Sequence, residues 1–197
     1  MTIVKHRFQK HEINPETETL IIGTFNPDTS ENVADFFYGR QRNFLWTLVP
    51  KAFGDESLKG KTRQEKISYV KKRKIDFIDL VGEVDVDETS NYNDGYLDSR
   101  VTTWRNVIAE IEQLKKLNKV CFSRKSFSGI PKMKERIESI RLHCERLGIQ
   151  FKYLTTPARF YRADKQDEWT KFLNSGERIR FERFTSDGSD ITIIKKK

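Results

Sequence analysis

The stretch LIIGTFNPD, residues 20–28, decides the fold because a short apolar run leads directly into a turn that carries polar side chains. Three similar runs follow it along the chain: IDFIDLV (75–81), KVCFS (119–123) and FKYL (151–154). Short apolar runs bounded by turn signals are typical of strands buried in a parallel sheet. We therefore predict a central, mainly parallel four-stranded sheet.

Segments with helical patterns lie between and after these runs. Helix end signals or apolar residues at helical spacing mark 43–53, 62–73, 101–111, 130–147 and 164–173. The second segment begins with a capping box of Thr62 and Glu65, and Pro50 interrupts the first, which closes near Gly54. Alternating strands and helices predict a three-layer α/β/α fold.

The chain end carries a separate pattern. The runs RIRFERF and ITIIKK flank an Asp187-Gly188 turn, which predicts a C-terminal β-hairpin over about 177–195. We expect a single domain over 1–197, with its core at about 18–175.

Composition narrows the class of protein. The 197 residues contain no apolar run of about 18 residues and no signal-peptide pattern, so we expect a cytoplasmic protein that binds no membrane. We also expect a monomer. Two cysteines exclude a disulfide framework or a four-cysteine metal cluster and predict buried free thiols. The net charge of +8 favours polyanionic partners.

The loops that follow the predicted strands hold the candidate functional residues, because ligands of such sheets bind beyond the carboxyl ends of the strands. These loops begin after Phe25, Val81, Ser123 and Leu154. Their motifs are GTFNPD (23–28) with YGRQRNFLW (38–46), then GYLDSRV (95–101), VCFSRKSF (120–127) and LTTPARF (154–160).

In order and spacing these motifs resemble those of the uracil-DNA glycosylase superfamily, above all its mismatch-specific and hypoxanthine-DNA glycosylase branches. The resemblance covers about residues 20 to 165. It implies an enzyme that hydrolyses the N-glycosidic bond of a deaminated base, uracil or hypoxanthine, flipped out of DNA for repair. The implied partner is DNA with a damaged or mismatched base, and no cofactor or metal is expected.

Hydrolysis needs a polar group that orients water beside the sugar. Asn26 is the first candidate because its side-chain carbonyl accepts from water without becoming charged. Asp28 is the second, since a carboxylate also favours the developing positive charge, and Asn43 is the third. Two of these residues could instead have purely structural roles: Asn26 would form a turn with Pro27, and Asn43 would cap a helix.

The resemblance also implies which residues bind the base and the DNA. Tyr38, with Phe37 beside it, is implied to stack on the base, and Arg124 to read its edge or hold a phosphate; Phe36 is expected in the core. The complete base-binding set is Gly23, Thr24, Phe25, Phe37, Tyr38, Ser123 and Arg124. The DNA-binding set is Arg40, Arg42, Ser126, Thr155, Thr156 and Arg159, with Arg159 or Phe160 filling the gap in the base stack.

Two other classes of function stay open from the sequence. One is a non-catalytic nucleic-acid binder of the same fold, which the changed last loop and Arg124 favour. The other is an enzyme that processes nucleotides or RNA on this scaffold. His6, His11 and His143 have no metal-site spacing and are expected to be packed or solvated.

Overall fold

The computed structural model describes residues 2–87 and 91–176, so the hairpin predicted at about 177–195 lies outside the described residues. The strands in these ranges are β1 (Thr2–Lys5), β2 (Thr19–Gly23), β3 (Ile75–Asp79), β4 (Val81–Val86), β5 (Val101–Trp104), β6 (Lys119–Phe122) and β7 (Gln150–Tyr153). The helices are α1 (Leu45–Ala52), α2 (Arg63–Arg73), α3 (Asp94–Leu97), α4 (Val107–Gln113), α5 (Pro131–Arg146) and α6 (Ala163–Asn174).

Four strands form the parallel sheet predicted from the sequence, in the order β3-β2-β6-β7. Strand β2 lies inside the sheet, where Gly23 pairs with Asp79 on one side and Ile22 with Phe122 on the other. All five residues of β2 and of β3 are buried, as expected for strands covered on both faces. The carboxyl ends of the four strands therefore point to one edge, which we call the carboxyl edge.

The two faces of this sheet pack into two hydrophobic clusters. Leu20 and Ile22 belong to one cluster, with apolar residues of α4, α5 and β4. Ile21 faces the other way, into a cluster with residues of α1, α2 and α6. Because successive side chains of a strand point to opposite faces, a short apolar run is enough to support both layers. The three-layer α/β/α arrangement is confirmed.

A second sheet of three strands, β1-β4-β5, was not predicted. Its pairs are antiparallel, and the segment IDFIDLV is divided between the two sheets: β3 ends at Asp79 and β4 begins at Val81. The helix expected over 101–111 is wrong in its first half, because Val101–Trp104 forms β5 and pairs with β4. Backbone pairing with a neighbouring strand outweighs the helical spacing of its apolar residues.

The helix ends agree with the sequence signals. Helix α2 has the capping box at Thr62 and Glu65. Pro50 lies inside α1, where it has no N–H for the carbonyl of Trp46; Leu58 N–H donates to that oxygen instead, at 2.7 Å. The helix therefore continues to Ala52 rather than breaking at the proline.

Both cysteines, Cys121 and Cys144, are buried free thiols, as expected. Burial raises the pKa of Cys144 to about 12. None of the helices in the described part of the chain has the length and apolar character to cross a membrane.

Candidate functional site

The centre of the candidate site is a close approach of three groups at the carboxyl edge. Gly23 and Asp79 are paired at the ends of β2 and β3. A Cβ atom on Gly23 would lie 2.1 Å from Asp79 Oδ1 and 2.8 Å from Tyr38 Oη. Only glycine leaves room here, so the carboxylate oxygen and the phenol oxygen both lie over the strand end.

Ser123 joins this group from the next strand. Its Oγ lies 2.9 Å from Tyr38 Oη, in a hydrogen bond that joins two loops 85 residues apart. Ser123 follows β6 directly and is buried. The carboxyl ends of β2, β3 and β6 therefore meet beside Tyr38.

Tyr38 is held in an unusual backbone conformation. Its φ of 56° is in the left-handed region, which a bulky residue adopts only when the surroundings enforce it. The residue is half-buried, and its ring centroid lies 5.7 Å from that of Phe77. Burial, followed by the charge of Asp79, raises the pKa of Tyr38 well above its ordinary value, so the site contains a neutral phenol.

Asp79 is a buried carboxylate with one oxygen fixed. His6 Nε2 lies 2.7 Å from Asp79 Oδ2, and His6 Nδ1 accepts a hydrogen bond from Phe8 N at 3.1 Å. Because Nδ1 is an acceptor, the proton of the neutral ring is on Nε2 and is donated to Asp79. Asp79 Oδ1 receives no hydrogen bond from the described residues.

Arg40 adds a positive charge near this carboxylate. Its guanidinium forms no hydrogen bond or ion pair within the described ranges. Desolvation lowers the pKa of Arg40, while the charges of Asp79 and Tyr92 oppose that shift. Arg40 is thus a cation at the edge of the site that is available to an incoming anion or carbonyl.

Asn26, the first candidate for orienting water, is buried beside a second amide. Asn32 Nδ2 donates to Asn26 Oδ1 at 2.5 Å and to the carbonyl of Pro27 at 2.6 Å. The first of these hydrogen bonds fixes the carbonyl of the Asn26 side chain and leaves one of its lone pairs without a partner among the described residues. Asn32 was not singled out in the sequence.

The other two candidates have different surroundings. Asp28 is exposed and accepts from Arg7 Nη1 at 3.2 Å. Asn43 is half-buried, and its Oδ1 accepts from Leu45 N at 3.0 Å at the beginning of α1, as expected for a cap.

The aromatic residues divide between core and site. Phe36 and Phe37 are each 1% exposed, and the ring of Phe37 packs against Phe77 and Phe8. Phe37 therefore has no ring face free for a base, in contrast to its expected role, because the N-terminal segment covers it. Phe25, like Thr24, is half-buried at the end of β2, and its ring lies 6.4 Å from that of Tyr92.

Arg124, in the loop after β6, forms an ion pair with helix α3. Its guanidinium contacts the Asp94 carboxylate and donates to the carbonyl of Ser126 at 2.6 Å. The guanidinium is therefore largely occupied by protein atoms. Asp98, directly after α3, accepts from the N–H groups of Lys132 and Met133, so it caps α5.

The loop after β7 lies against the Arg40–Phe44 segment. Arg159 N donates to Arg42 O at 2.8 Å, and Asn43 pairs with Ala158. These contacts bring together a surface that we call the basic rim: Arg40, Arg42, Thr156, Arg159 and Phe160, all exposed. Thr155, expected with them, is half-buried and tied to α6 through Glu168, and Ser126 is exposed on the Arg124 side of the site.

The basic rim is held in position by a buried cation. Lys165 donates to the carbonyls of Ala158 and Phe160, at 3.2 and 2.7 Å, although it is only 5% exposed. Arg159 has a φ of 75°. Phe160, in contrast, is 63% exposed. A turn that these hydrogen bonds hold and that presents the exposed ring of Phe160 is suited to insertion between bases.

Sequence reasoning missed His6, Asn32, Asp79 and Tyr92. Asp79 left a usable signal, because a carboxylate inside a fully buried apolar strand requires a partner. His6 left none, since its partner is 73 residues away. Over residues 2–87 and 91–176, no three His, Cys, Asp or Glu side chains are grouped to hold a metal ion.

The fold is similar to that of a solved protein. A solution NMR structure from Methanosarcina acetivorans, described as a "putative Uracil DNA glycosylase", matches this chain with a TM-score of 0.58 and 23% sequence identity. The match covers 82% of this chain and 91% of that chain. No protein-family model matches the chain, and no curated protein does. The fold that the motif resemblance implied is thereby confirmed.

Proposed function

We propose that this chain is a DNA glycosylase that hydrolyses the N-glycosidic bond of a flipped-out deaminated base, uracil or hypoxanthine. The observation that carries the proposal is the convergence of Gly23, Tyr38, Asp79 and Ser123 at the carboxyl edge, beside the basic rim. The similarity in fold to the Methanosarcina acetivorans protein supports the same reading. Within the superfamily, the motifs favour the mismatch-specific and hypoxanthine branches.

The basic rim provides the contacts to DNA in this proposal. Arg42 and Arg159 are exposed and adjacent through their backbones, so their side chains are suited to successive phosphates. Phe160 fills the gap left in the base stack when the nucleotide rotates out. The protein acts as a monomer, and one copy of this surface is enough for one extruded nucleotide.

The extruded base lies at the carboxyl edge, stacked on Tyr38. Asn26 orients the attacking water through its fixed side-chain carbonyl, and the Asp79 carboxylate stabilises the positive charge that develops on the sugar. Asp28 and Asn43 are the second and third candidates for the water. Positioning by a single polar group accounts for about 10²–10⁴-fold in rate.

The direct test incubates the protein with oligonucleotides that contain one uracil, one hypoxanthine, or a mismatch of normal bases, followed by alkali. Alkali cleaves the strand wherever a base has been removed, so cleaved product at uracil or hypoxanthine supports the proposal. A matched oligonucleotide of normal bases is the control. Absence of product from every damaged substrate, with enzyme in excess, contradicts a glycosylase.

The second candidate function is a non-catalytic nucleic-acid binder of the same fold. The observation that favours it is the ion pair between Arg124 and Asp94, which occupies the group expected to read the base. In the same assay a binder retains the oligonucleotides on the basic rim without producing an alkali-sensitive site. The two functions therefore give opposite results in one experiment.

A further inference from the structure

We propose that two aromatic rings and two lysines next to the basic rim bind unpaired nucleotides that flank the extruded one. These residues are Lys51, Tyr161, Phe44 and Lys59, in the order of their contacts, and we call them the aromatic row. The inference rests on the proposed function, because it takes the basic rim as the surface that holds DNA. It adds the form of the substrate: a strand with an unpaired stretch on one side of the extruded nucleotide.

Each member of the aromatic row contacts the next. Lys51 Nζ lies 4.8 Å from the ring centroid of Tyr161. The centroids of the Tyr161 and Phe44 rings are 6.3 Å apart, and Lys59 Nζ lies 3.5 Å from the centroid of Phe44. Both lysines and Tyr161 are exposed, and Phe44 is half-buried. The surface is therefore a pair of rings with a positive charge at each end.

Pro50 explains how Lys59 reaches the ring of Phe44. The proline has no N–H for the Trp46 carbonyl, so Leu58 N–H donates to that oxygen at 2.7 Å. This hydrogen bond returns the chain to the first turn of α1, which follows Phe44 directly. The next residue along the chain, Lys59, therefore lies over the Phe44 ring.

The loop after β7 brings Tyr161 to the same place. Phe44 N donates to the carbonyl of Pro157 at 2.9 Å, and Lys165 Nζ donates to the carbonyl of Phe160 at 2.7 Å. These hydrogen bonds hold the segment that precedes Tyr161 against the beginning of α1 and of α6. Because Phe160 belongs to the basic rim and Tyr161 is the next residue, the aromatic row is continuous with the rim.

The lysines of the aromatic row differ from a cation that completes its contacts within the protein. Arg73 lies 5.7 Å from the centroid of the Tyr69 ring, and its charge is paired with the Asp55 carboxylate. Lys51 and Lys59 also lie over rings, but neither pairs with a carboxylate among the residues that the structure describes. Their charges are therefore available to the phosphates of a bound strand.

Rings with flanking cations suit unpaired nucleotides better than a duplex. A ring stacks on a base only where the face of that base is free, whereas a paired strand presents mainly its phosphates to a protein surface. Tyr161 is 37% exposed and Phe160 is 63% exposed, so two neighbouring rings are open to successive bases. An acidic peptide would satisfy the lysines alone and leave these rings without a stacking partner. The chemistry therefore favours a single strand of nucleic acid.

The experiment measures binding to oligonucleotides that contain a tetrahydrofuran abasic analogue, from which no base is excised. One is fully paired, and in two others the complementary strand is truncated to leave the nucleotides unpaired on the 5′ side or on the 3′ side of the analogue. Fluorescence anisotropy gives the dissociation constants. For wild type, we expect an unpaired stretch on one side to strengthen binding at least about fivefold, because stacking outweighs the lost phosphate contacts, with little effect on the other side.

Variants of the aromatic row identify the source of this gain. Tyr161→Ala should abolish the gain, and Tyr161→Phe should keep it because the ring remains. Lys51→Gln combined with Lys59→Gln should reduce the gain and lower the slope of log K against log salt by more than about 1, since two phosphate contacts are lost. The matched control, Lys10→Gln combined with Lys115→Gln, removes the same charge from exposed positions outside the row.

The inference is overturned if neither unpaired stretch strengthens binding, or if the gain survives in Tyr161→Ala. If that variant does not fold, the one-sided gain of the wild type and its loss in the lysine variant decide. Binding of a poly-glutamate peptide that depends on Tyr161, without a gain for unpaired DNA, also overturns the inference and assigns the row to an acidic protein partner. Excision at uracil is a separate measurement, so a chain that excises no base but shows the gain contradicts the glycosylase and supports the row.

Discussion

Two aspartates of strand β3 each bond to a histidine of the N-terminal segment. The two pairs differ in the hydrogen bonding of the second carboxylate oxygen. Asp76, near the beginning of the strand, bonds to His11 Nε2 through Oδ1, at 2.6 Å, and to Asn14 N through Oδ2, at 2.9 Å. Within residues 2–87 and 91–176, Asp79, at the end of the strand, bonds to His6 through Oδ2 only. Both aspartates are 4–5% exposed.

The comparison separates a structural carboxylate from a functional one. A buried polar group normally satisfies all its hydrogen bonds within the protein, as Asp76 does. Asp79 satisfies half of them and is located at the edge where parallel sheets bind ligands. The presence of a histidine–aspartate pair therefore does not distinguish the two roles, whereas the carboxylate oxygen without a hydrogen bond does.

The largest effect is expected outside both pairs, at Asn26. If Asn26 orients water, Asn26→Ala should lower kcat for uracil or hypoxanthine at least about 100-fold, because the positioned acceptor is lost. DNA affinity should change little, since the basic rim is intact. Single-turnover kinetics and a binding titration measure the two quantities, and unchanged excision would remove Asn26 from the mechanism.

Gly23→Ala should disturb Asp79 and leave Asp76 unaffected. The new Cβ would overlap Asp79 Oδ1, which cannot retreat because His6 holds the carboxylate. We expect about a tenfold loss of kcat/KM, the scale of one charged hydrogen bond. Gly95→Ala is the control, because its Cβ would meet no atom closer than 3.5 Å. Equal activity of the two variants would contradict the close packing at the strand end.

The free energy of unfolding should depend more on Asp76 than on Asp79, the opposite of the order expected for activity. In Asp76→Asn the amide NH₂ faces either the N–H of Asn14 or, on the other side, the N–H of Phe77 and the His11 ring, so we expect a loss of about 1–3 kcal/mol in the free energy of unfolding. Asp79→Asn keeps its bond to His6 and turns the NH₂ to the open side, so its loss should stay below about 1 kcal/mol. Urea denaturation measures both, and a larger loss for Asp79→Asn would reverse the assignment of roles.

The smallest effects are expected on the basic rim, away from both pairs. Arg42→Ala and Arg159→Ala should each lower DNA affinity a few-fold and reduce the slope of log K against log salt by about 1, because one phosphate contact is lost. Arg141→Ala removes the same charge from α5, where Arg141 pairs with Glu138 and Glu145. A salt slope that changes equally in all three variants would place the DNA elsewhere.

Local signals account for the parts of the fold that were predicted correctly. The four buried strands are apolar runs bounded by turns, and the capping box of Thr62 and Glu65 is complete within four residues. The second sheet was missed because β1 pairs with β4 about 80 residues away, as Thr2 does with Val86. Val101–Trp104 has apolar spacing typical of a helix, and only its pairing with β4 shows that it is a strand.

The sequence by itself determined which loops meet: four apolar strands in a parallel sheet place Gly23, Ser123 and Leu154 at one edge, because strand direction follows from the order of strands and helices. Only the tertiary structure decided which polar atoms stay free at that edge. Hydrogen bonds between distant residues occupy Arg124 and the second oxygen of Asp76, and leave Asp79 Oδ1 open. The hydrogen-bond partners of a polar side chain are the residues next to it in space, and a local sequence motif does not specify which residues those are.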